Sequence, residues 1–162
     1  MITTLIFDWG DTLMRDIPGK PGPMYTWETV EWIPGAKKAL ESVYRNYDMA
    51  VATNAGESDT EAMIKALKRV GADRYFLSFY SSKDLGVRKP DPEFFRIICE
   101  RMNRRPSECV MIGNSYEKDI CGAKDAGLKT IFFNENQTSL HADKADIVIG
   151  KMEDLLHAIE RI

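Results

Sequence analysis

An α/β fold, a doubly wound Rossmann-like parallel sheet of five to six strands with helices on both faces, is predicted by three observations. Short apolar runs of strand length recur along the 162 residues. Stretches with helical spacing alternate with them, and that alternation implies a parallel sheet covered on both sides. Carboxylates, amides, hydroxyls and glycines gather where the runs end, which is where open sheets of this kind bind ligands.

The first run, Leu5-Ile6-Phe7, leads into Asp8-Trp9-Gly10-Asp11-Thr12-Leu13. Asp8 at a strand end reads either as a nucleophile able to attack phosphorus or as the cap of a turn. Residues 16–34 hold Pro18, Pro21, Pro23 and Pro34 among several glycines, a composition that resists regular structure and predicts a flap. Its Tyr25, Trp27 and Trp32 either wall a substrate or pin the loop down. From Gly35 to Tyr47, Leu40, Val43, Tyr44 and Tyr47 keep helical spacing, and Met49–Ala52 predicts a second strand ending at Thr53-Asn54. Ser58 and Glu61 stand in capping-box register before a stripe of Met63, Ile64, Leu67 and Val70 that Gly71 closes.

A third strand is expected over Phe76–Tyr80. Asp91-Pro92 then opens a helix as cap and first-turn proline, with Phe95, Ile98 and Met102 on its apolar face. Cys109–Ile112 predicts a fourth strand ending at Gly113-Asn114, followed by a helix rich in small residues, Ala123 and Ala126 among them, up to Gly127. Thr130–Phe133 and Ile147–Ile149 supply two further strands, and Met152, Leu155, Leu156 and Ile159 a final amphipathic helix.

Composition narrows the class. A hydrophobic fraction of 44% beside 29% charged residues is that of a globular protein, and no apolar run approaches the roughly 20 residues of a membrane span. Met1 leads straight towards a core strand with no signal-like segment, so a cytoplasmic protein without membrane contact is expected. The net charge of −3 gives no general attraction to nucleic acid, and Arg101, Arg104 and Arg105 read as a solvated helix end. Cys99, Cys109 and Cys121 form no CxxC pair and are expected to be buried, reduced thiols.

Polar chemistry is concentrated in four loops: Asp8–Thr12, Thr53–Gly56, Lys89 with Pro90, and Gly113–Asp119. Thr53 and the backbone N–H groups ahead of the helix at Ser58 suit phosphate oxygens. Lys89 suits the negative charge that spreads over phosphoryl oxygens in a transition state, although read alone it is a surface lysine before a proline-initiated helix. Asn114 and Asp119 offer the oxygen ligands that magnesium takes, while Asp119 also suits the cap of the following helix.

In this order, LIFDWGDTL, VATN, VRKPDPEFF and VMIGNSYEKDICGAKDAG resemble the four motifs of the haloacid dehalogenase-like superfamily, and the likeness spans nearly the whole chain. That family consists mostly of magnesium-dependent phosphatases and phosphotransferases. The resemblance implies a phosphatase that hydrolyses a phosphate monoester through an aspartyl phosphate on Asp8, with Mg2+ as cofactor. It implies that Thr12 steadies the first loop, that Thr53 and Asn54 bind phosphate, and that Lys89 holds the phosphoryl group. Asp8, the Gly10 backbone carbonyl, Asn114 and Asp119 fall on the metal-binding positions. One domain over residues 1–162 is implied, with 16–34 as its flap and no large cap. The open site suits a phosphorylated macromolecule, or a small phosphate enclosed by contacts such as those of a homodimer.

Two positions depart from the family pattern. Gly10 stands where family phosphatases carry a second Asp as general acid and base, a loss worth typically about 100- to 10,000-fold in rate. Asp11, one position further on, is the candidate replacement. Asn114 stands where an Asp is usual, which removes one negative charge and predicts weaker magnesium binding. Together they support an alternative, a phosphate or phosphoprotein binding domain with little turnover. A 2-haloacid dehalogenase is a further alternative, since those enzymes also lack the second Asp and need no magnesium, but they use a cap-borne pocket for which neither inter-motif gap has room. His141 and His157 lie outside the four loops and receive no role.

Overall fold

The computed structural model describes residues 1–162. In chain order its strands are β1 (Thr4–Phe7), β2 (Asp48–Thr53), β3 (Ser78–Ser81), β4 (Cys109–Gly113), β5 (Lys129–Phe133) and β6 (Ile147–Ile149). Its helices are α1 (Ala36–Val43), α2 (Thr60–Arg69), α3 (Ser82–Leu85), α4 (Pro92–Arg101), α5 (Gly122–Asp125) and α6 (Leu155–Glu160). All six strands are parallel in one sheet of order β3-β2-β1-β4-β5-β6. The order reverses between β1 and β4, and this switch point opens a crevice at the carboxyl ends of those two strands. Phe7 pairs with both Val51 and Ile112, so Asp8, Thr53-Asn54 and Gly113-Asn114 leave the sheet side by side.

The two-residue period of the strands divides the core. Leu5, Phe7, Met49, Val51, Val110, Ile112, Ile131 and Phe133 face α1, α2 and α6, where they meet Leu40, Val43, Met63, Leu67, Leu155 and Ile159. Ile6, Ala50, Ala52 and Met111 face α4 and α5, where the small side chains of β2 leave room for Phe94 and Phe95. Every residue of β1 and β4 is buried, as a strand in the middle of a doubly covered sheet requires.

Helix ends follow the local chemistry, with two departures from the sequence reading. Asp91 accepts from the Glu93 N–H and Pro92 occupies the first turn, as expected. The cap of α2, however, is Asp59 rather than Ser58: its carboxylate takes the Ala62 N–H at 2.9 Å. The helix expected after β4 begins as a π-helical turn, Tyr116–Cys121, and only Gly122–Asp125 is α-helical. Here Ser115 O receives both the Asp119 and Ile120 N–H groups, which widens the turn and swings Asp119 inward. The third strand starts at Ser78, because Phe76 closes a short 3-10 turn and packs edge-on against Phe7 at 5.9 Å. The final helix runs from Leu155 to Glu160 after a 3-10 turn at Met152–Asp154.

The basic stretch near the end of α4 is largely neutralised: Arg104 pairs with Asp48 at 2.7 Å and Arg105 with Glu108 at 3.2 Å. All three cysteines are free thiols; Cys99 and Cys109 are buried, and Cys121 is half-buried. No helix is long and apolar enough to cross a membrane.

Gly122 shows how the fold brings the third and fourth loops together. A Cβ there would lie 2.8 Å from Phe95 Cε2 and closer still to the Pro90 carbonyl oxygen. The absence of a side chain lets the Lys89-Pro90 loop rest directly on α5. Gly122→Ala is therefore expected to cost about 1–3 kcal/mol of stability through overpacking. Urea unfolding of the two proteins checks this, and an unchanged midpoint would contradict the tight contact.

Candidate active site

The turn after β1 is set by one carbonyl: Trp9 O receives the N–H groups of Thr12, Leu13 and Met14 at 3.3, 2.8 and 3.3 Å. Asp11 adopts a left-handed conformation with φ of 57°, which a short polar residue tolerates better than most. The turn aims Asp8 and Thr12 at each other. Thr12 Oγ1 lies 3.0 Å from Asp8 Oδ2 and 3.2 Å from Asn114 Oδ1. A hydroxyl has one proton, so it can serve only one of those two acceptors at a time.

Lys89 is 3% exposed, with its ammonium between two carboxylates. Its Nζ donates to Asp8 Oδ1 at 2.9 Å, to Asp119 Oδ1 at 2.8 Å and to the Ala52 carbonyl at 3.0 Å, which uses all three of its protons. Burial opposes its charge, but Asp119 and Asp8 outweigh that and hold the ammonium above the ordinary lysine range. Asp119, 1% exposed, spends its other oxygen on the Ser115 N–H at 3.0 Å. Burial and then the charge of Asp8 push its carboxyl above the usual carboxylate range, against Lys89 and that N–H. Gly113 makes room for Asp119, since a Cβ at position 113 would stand 2.7 Å from Asp119 Cβ.

The second loop is tied to the third through one amide. The Asn54 side chain spans the Lys89 backbone, its Oδ1 accepting from Lys89 N at 2.8 Å and its Nδ2 donating to Lys89 O at 3.0 Å. Both heavy atoms of the amide thus hold the Lys89 backbone in place, and one Nδ2 proton of Asn54 is left for a further acceptor. Ser82 Oγ fixes the next residue by accepting the Ala55 N–H at 2.8 Å. At the start of α2 the Asp59 carboxylate takes one N–H of the first helical turn, that of Ala62.

Residues 15–33 form a closed flap. Arg15 N and Ile33 N bond to Glu31 O and Leu13 O, and Met14 bridges to Trp32, so the flap leaves and returns at one place. Trp27 is buried and donates to the carbonyls of Pro21 and Gly22, and Arg69 of α2 donates to those of Tyr25, Trp27 and Glu28. The Arg15 guanidinium grips Glu135 in a fork of 2.8 and 2.7 Å. Trp27 and Met24 pin the flap to the core and also line the cavity, so packing and wall are the same residues here.

That cavity measures about 500 Å³, within the range of small-molecule sites. Asp8, Thr53, Asn54, Lys89, Asn114 and Asp119 line its floor, and Ile17, Lys20, Trp27, Glu57 and Lys118 its sides. Gly10, Asp11 and Asp16 border it as well. Thr12 is fully buried beneath. His141 and His157 are not among the lining residues.

The donors suit a magnesium ion by their chemistry. Asp8, Asn114 and Asp119 supply oxygens only, two of which compete for a single hydroxyl proton. The lining carries five carboxylates against three lysines, an excess that a dianionic ligand would enter only with added positive charge. No cluster of three or more His, Cys, Asp or Glu side chains is present, so an ion would also rely on the Asn114 amide and a backbone carbonyl.

The sequence model of the haloacid dehalogenase-like hydrolases matches residues 24–133. The chain belongs to that family. The match begins downstream of Asp8, whose place in this dehalogenase-like hydrolase rests on the pairing of Phe7 with Val51 and Ile112. The ribulose-1,5-bisphosphate 5-phosphatase of Halopiger xanaduensis is 32% identical over 120 residues, covering 74% of this chain and 49% of that protein. The chain spans about half the length of the curated relatives it matches. An uncharacterized protein of Listeria monocytogenes superposes with a TM-score of 0.84 at 28% identity, over 99% of this chain and 100% of the other. YfnB of Bacillus subtilis, solved bound to magnesium, superposes with a TM-score of 0.81 at 20% identity over 98% of each chain, a likeness of fold. Residues 8–47 and 54–77 of this hydrolase hold only turns, the flap, α1 and α2, with no inserted cap domain.

Two outcomes test this geometry. Lys89→Met leaves Asp8 and Asp119 facing each other without a counter-charge, and breaking a buried pair in this way is expected to cost about 3–5 kcal/mol in a denaturant titration. Arg15 holds the Glu135 carboxyl below its usual range, so this contact stabilises the fold above the unfolded value of about pH 4.3 and is lost as pH falls through the folded value. Both groups are roughly a third exposed, which keeps the contribution at or below about 1 kcal/mol. Glu135→Gln at neutral pH is expected to speed chymotryptic cleavage at Tyr25; equal rates would show that Arg69 and Trp27 suffice.

Proposed function

We propose that this chain is a cytoplasmic magnesium-dependent phosphatase that hydrolyses the phosphate monoester of a small molecule through an aspartyl phosphate on Asp8, with residues 1–162 as one such domain. One observation carries the reading. Asp8 leaves the central strand at the switch point with its carboxylate held between Thr12 and Lys89, and it faces a cavity of about 500 Å³. A carboxylate whose two oxygens are each fixed by a donor is oriented for attack rather than free to rotate. The polar lining, in which Trp9, Ile17, Met24 and Trp27 are the hydrophobic members, suits a phosphate better than a haloacid.

In this scheme Thr53 and the backbone N–H groups of its loop receive the phosphate oxygens. Asn54 acts at one remove, by setting the backbone of Lys89. The Lys89 ammonium lies against Asp8 and offsets negative charge as it spreads over the transferring phosphoryl group. Thr12 keeps the Asp8 carboxylate in one rotamer. Asp8, the Gly10 carbonyl, Asn114 and Asp119 are the oxygen donors that would hold Mg2+, and the ion would supply positive charge against the phosphate. Asn114 in place of a carboxylate lowers the charge of that set by one, so magnesium is expected to bind more weakly than to a site with Asp at this position. The flap and the cavity's size favour a small phosphate over a phosphorylated macromolecule.

The deciding assay is release of nitrophenolate from para-nitrophenyl phosphate with magnesium, beside a chelator control and Asp8→Asn. Activity that falls to background in both controls is the expected result. Tight phosphate binding by folded protein without hydrolysis would instead support a binding domain that has lost turnover.

A further inference from the structure

An alkoxide leaving from phosphorus needs a proton, and the water that later cleaves an aspartyl phosphate must lose one. Gly10 cannot do either. Five carboxylates border the cavity: Asp8, Asp11, Asp16, Glu57 and Asp119. Asp8 is the nucleophile in the reading above. Asp119 is 1% exposed, with one oxygen on Lys89 and the other on the Ser115 N–H. Asp11 Oδ1 accepts from the Asp16 N–H at 3.1 Å and from Arg15 at 3.4 Å, so this carboxylate is turned to the base of the flap. Asp16 and Glu57 are left.

Of these two, Asp16 stands where the missing group would be. A Cβ built on Gly10 would have as its nearest neighbours three atoms of Asp16: Cβ at 3.4 Å, Oδ2 at 3.7 Å and Cγ at 3.8 Å. The Asp16 carboxylate therefore occupies the space beside the second residue after the nucleophile, reaching it from the flap rather than from the first loop. We propose that Asp16 is the acid–base residue of this hydrolase, with Asp11 as the positioning residue that fixes its backbone. The proposal rests on the phosphatase reading.

The balance is as follows. Asp8 forms a bond to phosphorus while the bond to the ester oxygen breaks, and the carboxylic proton of Asp16 passes to that oxygen to release an alcohol. Water then attacks the phosphorus, one of its protons passes to the Asp16 carboxylate, and the bond between phosphorus and the Asp8 oxygen breaks. Inorganic phosphate leaves, Asp8 is a carboxylate again, and Asp16 carries the proton for the next cycle.

The test compares wild type, Asp16→Asn, Glu57→Gln and the double variant Gly10→Asp/Asp16→Asn on para-nitrophenyl phosphate and glycerol 3-phosphate, with magnesium throughout. Nitrophenolate departs without a proton, whereas an alkoxide does not. Asp16→Asn is expected to lose about 100- to 10,000-fold in turnover of glycerol phosphate. With the aryl ester it should still give a rapid burst of one nitrophenolate per active site, followed by slow hydrolysis of the aspartyl phosphate. The double variant, with a carboxylate returned from the first loop, should regain turnover of glycerol phosphate. Loss of the burst as well would mark Asp16 as merely structural and overturn the assignment. So would near-wild-type activity of Asp16→Asn, or the same leaving-group selectivity in Glu57→Gln. Wild-type protein inactive on both esters would overturn the phosphatase reading and this proposal with it, whereas active wild type with an unaffected Asp16→Asn overturns the proposal alone.

Discussion

One buried ammonium organises this molecule. Lys89 has exchanged water for three oxygens, two of them charged, that come from the ends of β1 and β2 and from the turn after β4. Moving an ammonium out of water costs several kcal/mol, and that cost is offset only when every proton finds a well-placed acceptor. The neighbouring backbone is arranged to meet that requirement. Asn54 clamps the Lys89 main chain, Gly113 admits Asp119, Gly122 lets Pro90 sit on α5, and the π-helical turn brings Asp119 inward. Each of these features looks local, but together they serve a single charge. In the proposed reaction stability and chemistry are coupled: the group that neutralises Asp8 in the resting protein is also the group assigned to the phosphoryl oxygens.

The flap follows a different logic. Its prolines and glycines prevent regular structure, yet it is not loose. Its ends are joined by backbone bonds, its centre is held by Arg69 and by the Trp27 indole, and Arg15 ties its entry to Glu135 beyond β5. An irregular segment fixed this way can present side chains at set positions with no domain standing over it. Ile17, Lys20, Met24 and Trp27 reach the cavity from it, so the flap forms part of the cavity wall.

Much of the site was legible in the sequence because strand ends are legible. Apolar runs fix where the chain leaves the sheet, and a parallel topology places all those exits on one side, so the adjacency of Asp8, Thr53 and Asn114 follows from position. The second duties of side chains were not legible. The family resemblance implied a phosphate-binding role for Asn54, but it gave no sign that the amide also complements the backbone of Lys89, a residue 35 positions away. Asp59 rather than Ser58 caps α2 because either residue type fits the pattern and only the geometry of the loop selects one. Asp16 carried no signal, being one acidic residue in an irregular stretch, and its relation to Gly10 exists only once the flap has folded back.

By itself, then, the sequence determined the layered α/β architecture, the order of its elements and the strand end at which Asp8 stands. These depend on periodicities of two and 3.6 residues and on which residues end them, all of which are local properties. The tertiary structure decided which donor meets which acceptor: Lys89 between two carboxylates, Asn54 on the backbone, Asp16 against Gly10. A hydrogen bond between residues far apart in sequence depends on a few ångströms of packing, and that packing is a property of the whole core rather than of any segment.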